Sequence, residues 1–194
     1  MFSKDKYTVE DISLESKYNT CIKYAMENNL DLFPDSSVKG LLQLGNRDDI
    51  ILYKSDAINE ASKILFGEDF KFDEAVNDDF IYNYYYNKDY NVVVAELTQK
   101  ENTIEAENSM DYKILSTKKD GKDIITTIAI AYVANLADGT YTYSSTRDFE
   151  KVVATGISEY KIPEDKIDQF PKYKITMTKS NDSYVFKSIE KTDK

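Results

Sequence analysis

A chain of 194 residues, 41% apolar and 31% charged, suits one globular domain and needs no covalent staple. It has no His and no Trp, and one Cys beside sixteen Tyr, which excludes Ser–His and Cys–His nucleophilic pairs and the usual zinc, copper and haem ligand sets. A net charge of −10 repels phosphate backbones, and no run of about 18 apolar residues is present, so nucleic acid and direct membrane insertion by this chain are not expected.

The first third reads as helical. Thr8 to Asp11 offers an N-cap with an acid three residues on. Leu14, Tyr18, Cys21, Ile22 and Ala25 then fall on one helical face, closed by Asn28-Asn29. Cys21 on that face reads as a small buried hydrophobe. Pro34 to Ser37 starts a second, short helix with Val38, Leu41 and Leu42 as its stripe and Gly45 as its stop. Ile50 to Tyr53 is a short strand or an extended approach. Ser55 caps a third helix through Ala57, Ile58, Ala61, Ile64 and Leu65, which Gly67 ends in a left-handed turn.

The remainder reads as antiparallel sheet. Phe80, Tyr82, Tyr84 and Tyr86 share one face of a strand, with Ile81, Asn83 and Tyr85 on the other. Asn87-Lys88-Asp89 turns the chain into Tyr90–Leu97. Tyr112 to Thr117 is a third strand, followed by the Asp120-Gly121 hairpin signal. Ile124 to Leu136 is apolar on both faces and is therefore central. Its second face carries Ile125, Ala129, Ala131 and Val133, small enough for a helix to approach closely. Asp138-Gly139 turns into Tyr141–Tyr143, and Phe149, Val152 and Val153 fit a helix or a strand equally. One or two helical turns are predicted over Pro163–Phe170. Tyr173–Lys179 and Ser183–Ile189 form a closing hairpin. The fold class is α+β, with N-terminal helices (about 8–70) packed on a curved antiparallel meander (about 78–191) in a single domain over 1–194.

Few catalytic devices survive. Cys21 has no partner for a disulfide, and there is no P-loop, no G-x-G-x-x-G and no G-x-S-x-G. The loop from Asn87 begins like a calcium loop but carries Val92 where Gly is needed and Thr98 where Glu is needed, so it reads as a plain hairpin turn and no metal is expected. Paired acids at Glu105/Glu107, Asp48/Asp49 and Asp78/Asp79 fit glycoside chemistry, but among 35 acids such pairs arise by chance. No cofactor is expected. The distinctive feature is the tyrosines. Stacked rings with polar tips bind sugars, peptides or small apolar molecules, or else form the core beneath the helices.

Helices first, then a meander of long strands, resembles the cystatin-like and nuclear-transport-factor-two-like cone folds. The helix Ala57-Ile58 through Phe66-Gly67 and the hairpin Tyr173–Lys179/Tyr184–Glu190 resemble small envelope lipoproteins of low-GC Gram-positive bacteria, often without an assigned activity. The resemblance implies an anchored extracytoplasmic module. Met1 to Lys6 has charge but no apolar h-region, so the anchor is expected in a segment missing from this chain, with a cytoplasmic protein as the alternative. The reading is a non-catalytic module for a protein, peptide or glycan, with Tyr82, Tyr84, Tyr86 and Tyr132 as its binding surface. Two alternatives stand beside it. One is a cone-fold enzyme using carboxylate–tyrosine acid–base chemistry, and the other is a cystatin-like inhibitor or assembly partner acting through a sheet edge or hairpin loop.

Overall fold

The computed structural model describes residues 5–44, 47–72, 76–77, 82–97 and 109–192. The expectations placed on Gly45, Asp78, Asp79, Phe80, Ile81, Thr98, Glu105 and Glu107 lie outside the described residues. The class is α+β with antiparallel sheets. The chain divides into two compact units. One takes Val9–Glu101 with Ser180–Val185, and the other takes Met1–Thr8, Asn102–Lys179 and Phe186–Lys194.

The helical unit is built by helices laid on a small sheet. Thr8 does not cap the first helix, because it ends a short strand β1 (Lys6–Thr8) and a single 3-10 turn (Val9–Asp11) follows it. The cap is Ser13, whose side chain accepts the Ser16 N–H at 3.2 Å and opens α1 (Leu14–Glu27). Tyr18, Cys21, Ile22 and Ala25 are its buried face, as the spacing predicts. In α2 (Ser37–Leu41), Val38 and Leu42 pack inward while Leu41 is exposed. The helix stops after five residues, too short for a full apolar stripe.

Strand β2 (Ile50–Lys54) runs into α3 (Ser55–Phe66) without a loop. Lys54, not Ser55, occupies the N-cap, because the Ser55 hydroxyl is taken by the Asn91 carbonyl at 2.9 Å. Gly67, at φ 75°, closes α3 in the left-handed region as expected. Strands β3 (Val76–Asn77), β4 (Tyr82–Asn87) and β5 (Val92–Leu97) complete a sheet ordered β2-β5-β4-β3, antiparallel throughout. Its alternation sorts two cores. Val93, Ala95 and Tyr84 meet α1 and α3, while Val92, Val94, Ile50 and Leu52 meet Val38, Leu42 and Tyr85. Each aliphatic side chain so buried contributes about 1.5–3 kcal/mol.

The second unit is dominated by strand. After β1 come β6 (Ser109–Asp120), β7 (Asp123–Asn135), β8 (Tyr141–Ser144) and β9 (Val152–Ile157). The segment left open between helix and strand thus carries β9. A 3-10 helix (Glu164–Gln169) precedes β10 (Lys172–Ser180) and β11 (Ser183–Lys191). Among the described residues the order is β1-β11-β10-β7-β8-β9, with β6 on the remaining side of β7. The small face of β7 carries Ala129, Ala131 and Val133, all buried. Tyr143, Ala154, Ile162 and Phe170 close it, from neighbouring strands and the loop around the 3-10 helix.

Asn91 joins the β4–β5 turn to the start of α3. It stands at φ 52°, its side-chain oxygen accepts from Ser55 and Tyr86, and its amide donates to Asp56 at 3.0 Å. Replacing Asn91 by Ala is expected to cost about 2–3 kcal/mol in a urea melt, and by Gly about 1–2 kcal/mol, since Gly keeps the left-handed backbone. A loss under about 0.5 kcal/mol for Asn91→Ala would mean the network adds nothing.

Candidate functional site

The four tyrosines named by sequence do not come together as one site. Tyr82, Tyr84 and Tyr86 share a face of β4 in the helical unit, while Tyr132 stands on β7 in the other unit. Tyr84 is 3% exposed, stacks on Tyr18 with centroids 5.1 Å apart and planes 5° apart, and donates its hydroxyl to Asn19 at 2.6 Å. Tyr18 in turn packs against Phe70 at 4.3 Å. Tyr82 and Tyr86 flank this group half-buried, Tyr86 against Phe72 at 4.9 Å. These rings form the core beneath α1 and α3; the Tyr84 and Tyr86 hydroxyls bond Asn19 and Asn91, while the Tyr18 hydroxyl is enclosed with no hydrogen-bond partner among the described residues. Burial pushes the Tyr18 phenol and the Cys21 thiol each up to about 12, so both stay neutral at ordinary pH.

Two surface clefts open on the helical unit, of about 440 and 350 Å³, and neither is lined by a tyrosine. The first lies by Lys63, Gly67 and Asn181, and the second by Phe33, Lys39 and Ile51. No described Asp or Glu is buried. Several carboxylates are held below their usual range by partners. Asp49 is lowered by its hydrogen bonds from Arg47, and Asp123 by Lys187, whose ammonium donates to it at 2.8 Å. Lys113, then Lys161, bring Glu164 down to about 2. A general acid needs the opposite shift, so none of these three is the raised carboxyl that the carboxylate–tyrosine enzyme reading requires. No cluster of three or more acids and Cys able to hold a metal ion occurs among the described residues, and no helix there is long and apolar enough to cross a membrane.

Tyr132 leads to a different surface. It is half-buried and sits directly across from Met110 on β6 and Ser144 on β8. On the same sheet face lie Ile128, Ile130 and Tyr173, which form a buried apolar cluster. The register continues that face outward onto β6, where Tyr112 opposes Ile130 and Ile114 opposes Ile128. There the apolar side chains are open: Tyr112 is 64%, Ile114 57% and Met110 43% exposed.

In the half before the bulge the polar residues Asp111 and Lys113 point the other way and are engaged. Asp111 accepts the Ile162 N–H at 3.2 Å, and Lys113 meets Glu164 at 2.8 Å. Alternation in Met110–Ile114 is therefore inverted, with apolar residues outward and charged residues inward. Pattern alone predicts a half-buried strand with its apolar side inside. What it does not carry is that Ile162 and Glu164, some fifty residues on, claim the polar side.

Strand β6 is twelve residues long and has a strand neighbour on one side only among the described residues. Its other edge runs beside an exposed apolar row; near its start the Tyr112 N–H donates to Asp111 at 2.8 Å and the Met110 carbonyl accepts from the Tyr160 hydroxyl at 3.4 Å, and an edge without a strand partner is the arrangement that accepts an added strand. In comparison with known proteins, no family model matches the chain, and neither does a curated protein or a solved structure.

Replacing Tyr84 by Ala is expected to cost about 3–5 kcal/mol in a denaturant melt, as loss of a core ring. A variant that stays as stable as the parent while losing a sugar or peptide ligand would instead make Tyr84 a binding residue.

Proposed function

We propose that this chain is a non-catalytic protein-interaction module that takes an extended polypeptide segment onto the open edge of β6. The observation that carries the reading is a twelve-residue edge strand whose apolar row, Met110, Tyr112 and Ile114, faces outward. An added strand pairs with the edge's backbone groups, replacing Asp111 at the Tyr112 N–H and the Tyr160 hydroxyl at the Met110 carbonyl, and alternate side chains of the guest cover that row. The shortage of catalytic side chains supports a binding role over chemistry. Of the two binding surfaces considered, the edge is favoured over the tyrosines of β4, because Tyr84 is enclosed by Tyr18 and α1. A cystatin-like assembly partner works in the same manner.

The resemblance of the α3 helix and the last hairpin to envelope lipoproteins supports a place at the bacterial cell envelope. Fractionation of the source cell with intact-mass measurement is expected to find a membrane-associated form. A form confined to the soluble cytosol defeats that location.

The edge reading is tested by panning a random twelve-residue peptide library over sparsely immobilised protein. Enriched peptides are expected to alternate apolar and polar residues. Their affinity should fall at least tenfold for the double variant Tyr112→Lys/Ile114→Lys, whose side chains are already mostly in solvent. Peptides that bind parent and variant equally would overturn the reading.

A further inference from the structure

We infer that the segment received by β6 is the β6 strand of a second copy of this chain, paired antiparallel about a two-fold axis between Ile114 and Leu115. This rests on the edge reading above and names its partner.

The argument begins with the bulge. Up to Ile114, paired with Ile128, the β6–β7 register is regular. It resumes at Ser116, paired with Thr127, leaving Leu115 as an extra residue. In an unbroken strand, an axis between two residues would set side chains of opposite faces against each other. Here the extra residue restores the match. Tyr112 and Thr117 oppose Ile130 and Thr126, which lie on one face of β7, and the Thr117 and Thr126 hydroxyls are 3.2 Å apart. Met110 and Lys119 oppose Tyr132 and Ile124 on that same face, while Asp111 and Lys118 oppose Ala131 and Ile125 on the other. The two halves of β6 are thus matched in facing about the bulge, and a two-fold there sets all twelve residues opposite a partner once the Tyr160 hydroxyl leaves the Met110 carbonyl and Asp111 leaves the Tyr112 N–H.

Charge agrees. In that pairing Asp111 of each copy stands opposite Lys118 of the other, and Met110 stands opposite Lys119. No lysine is set directly against a lysine. Within a chain of net charge −10, the stretch Ser109–Asp120 carries three lysines and two aspartates, so two copies can approach here without the repulsion met elsewhere. A pairing centred on Tyr112 would use only the half before the bulge. Side by side, the two copies extend the apolar face of Ile128 and Ile130 across Tyr112 and Ile114 of both.

The test uses the full chain in light scattering from about 1 to 200 μM, concentrations at which weak homodimers form. The mass is expected to rise from 22.3 kDa toward twice that value for the parent. It should stay monomeric for Tyr112→Lys/Ile114→Lys, with unchanged circular dichroism. The double variant Met110→Cys/Lys119→Cys should form an interchain disulfide dimer on mild oxidation, which neither single variant gives; the native Cys21 is buried. A parent that is monomeric throughout, a dimer that survives the lysine variant, or a trap that fails to cross-link would each overturn the inference. If the parent is monomeric but library peptides still lose affinity for the lysine variant, the edge reading stands and only self-pairing falls. If the peptides bind both forms equally as well, the edge reading falls with it.

Discussion

The strand-rich unit depends on β7 being buried on both faces at once. Thirteen residues must find hydrogen-bond partners along both edges and apolar cover above and below. The edges are met by β6 along one side and by β10, then β8, along the other. The faces differ in what they admit. Ala129 and Ala131 leave room for the large rings of Tyr143 and Phe170, whereas Ile128 and Ile130 are themselves bulky and meet Tyr173. Size alternation across one strand thus decides which neighbours lie on which side. It places the loop bearing Ile162 and Glu164 against the polar side of β6 and turns Tyr112 and Ile114 outward.

Much of this was legible because it is local. Helix faces follow a 3.6-residue period, and α1 buries the residues its spacing names. Asp120-Gly121 and Asp138-Gly139 turn where the dipeptides predict, and Gly67 ends α3 in the left-handed conformation. Residues whose role is set by a distant partner were not legible. Ser55 has the form of an N-cap, yet Asn91, thirty-six residues away, takes its hydroxyl. Thr8 resembles a cap but belongs to β1, which pairs with β11 at the far end of the chain. The tyrosine row on β4 was legible as a row. That its centre is closed by Tyr18 follows only once α1 is laid upon it. The β6 surface escaped for the same reason, since alternation fixes that two faces differ and not which one faces in.

An exposed apolar edge strand is a hazard that proteins usually blunt, with lysines, bulges or a covering loop. Strand β6 has two of these devices, Lys113, Lys118 and Lys119 and the bulge at Leu115. They act selectively rather than as a seal. Lysines confined largely to one half of the strand repel a guest that brings lysine to that half and accept one that brings an acid. The bulge rejects a regular guest strand spanning its full length, because facing is lost at Leu115, and admits a guest broken at the same point. A strand that blocks general pairing while matching itself in facing and in charge has the features of a specific edge. In the proposed self-pairing, the inverted alternation of Met110–Ile114 meets a second strand and is no longer left to water.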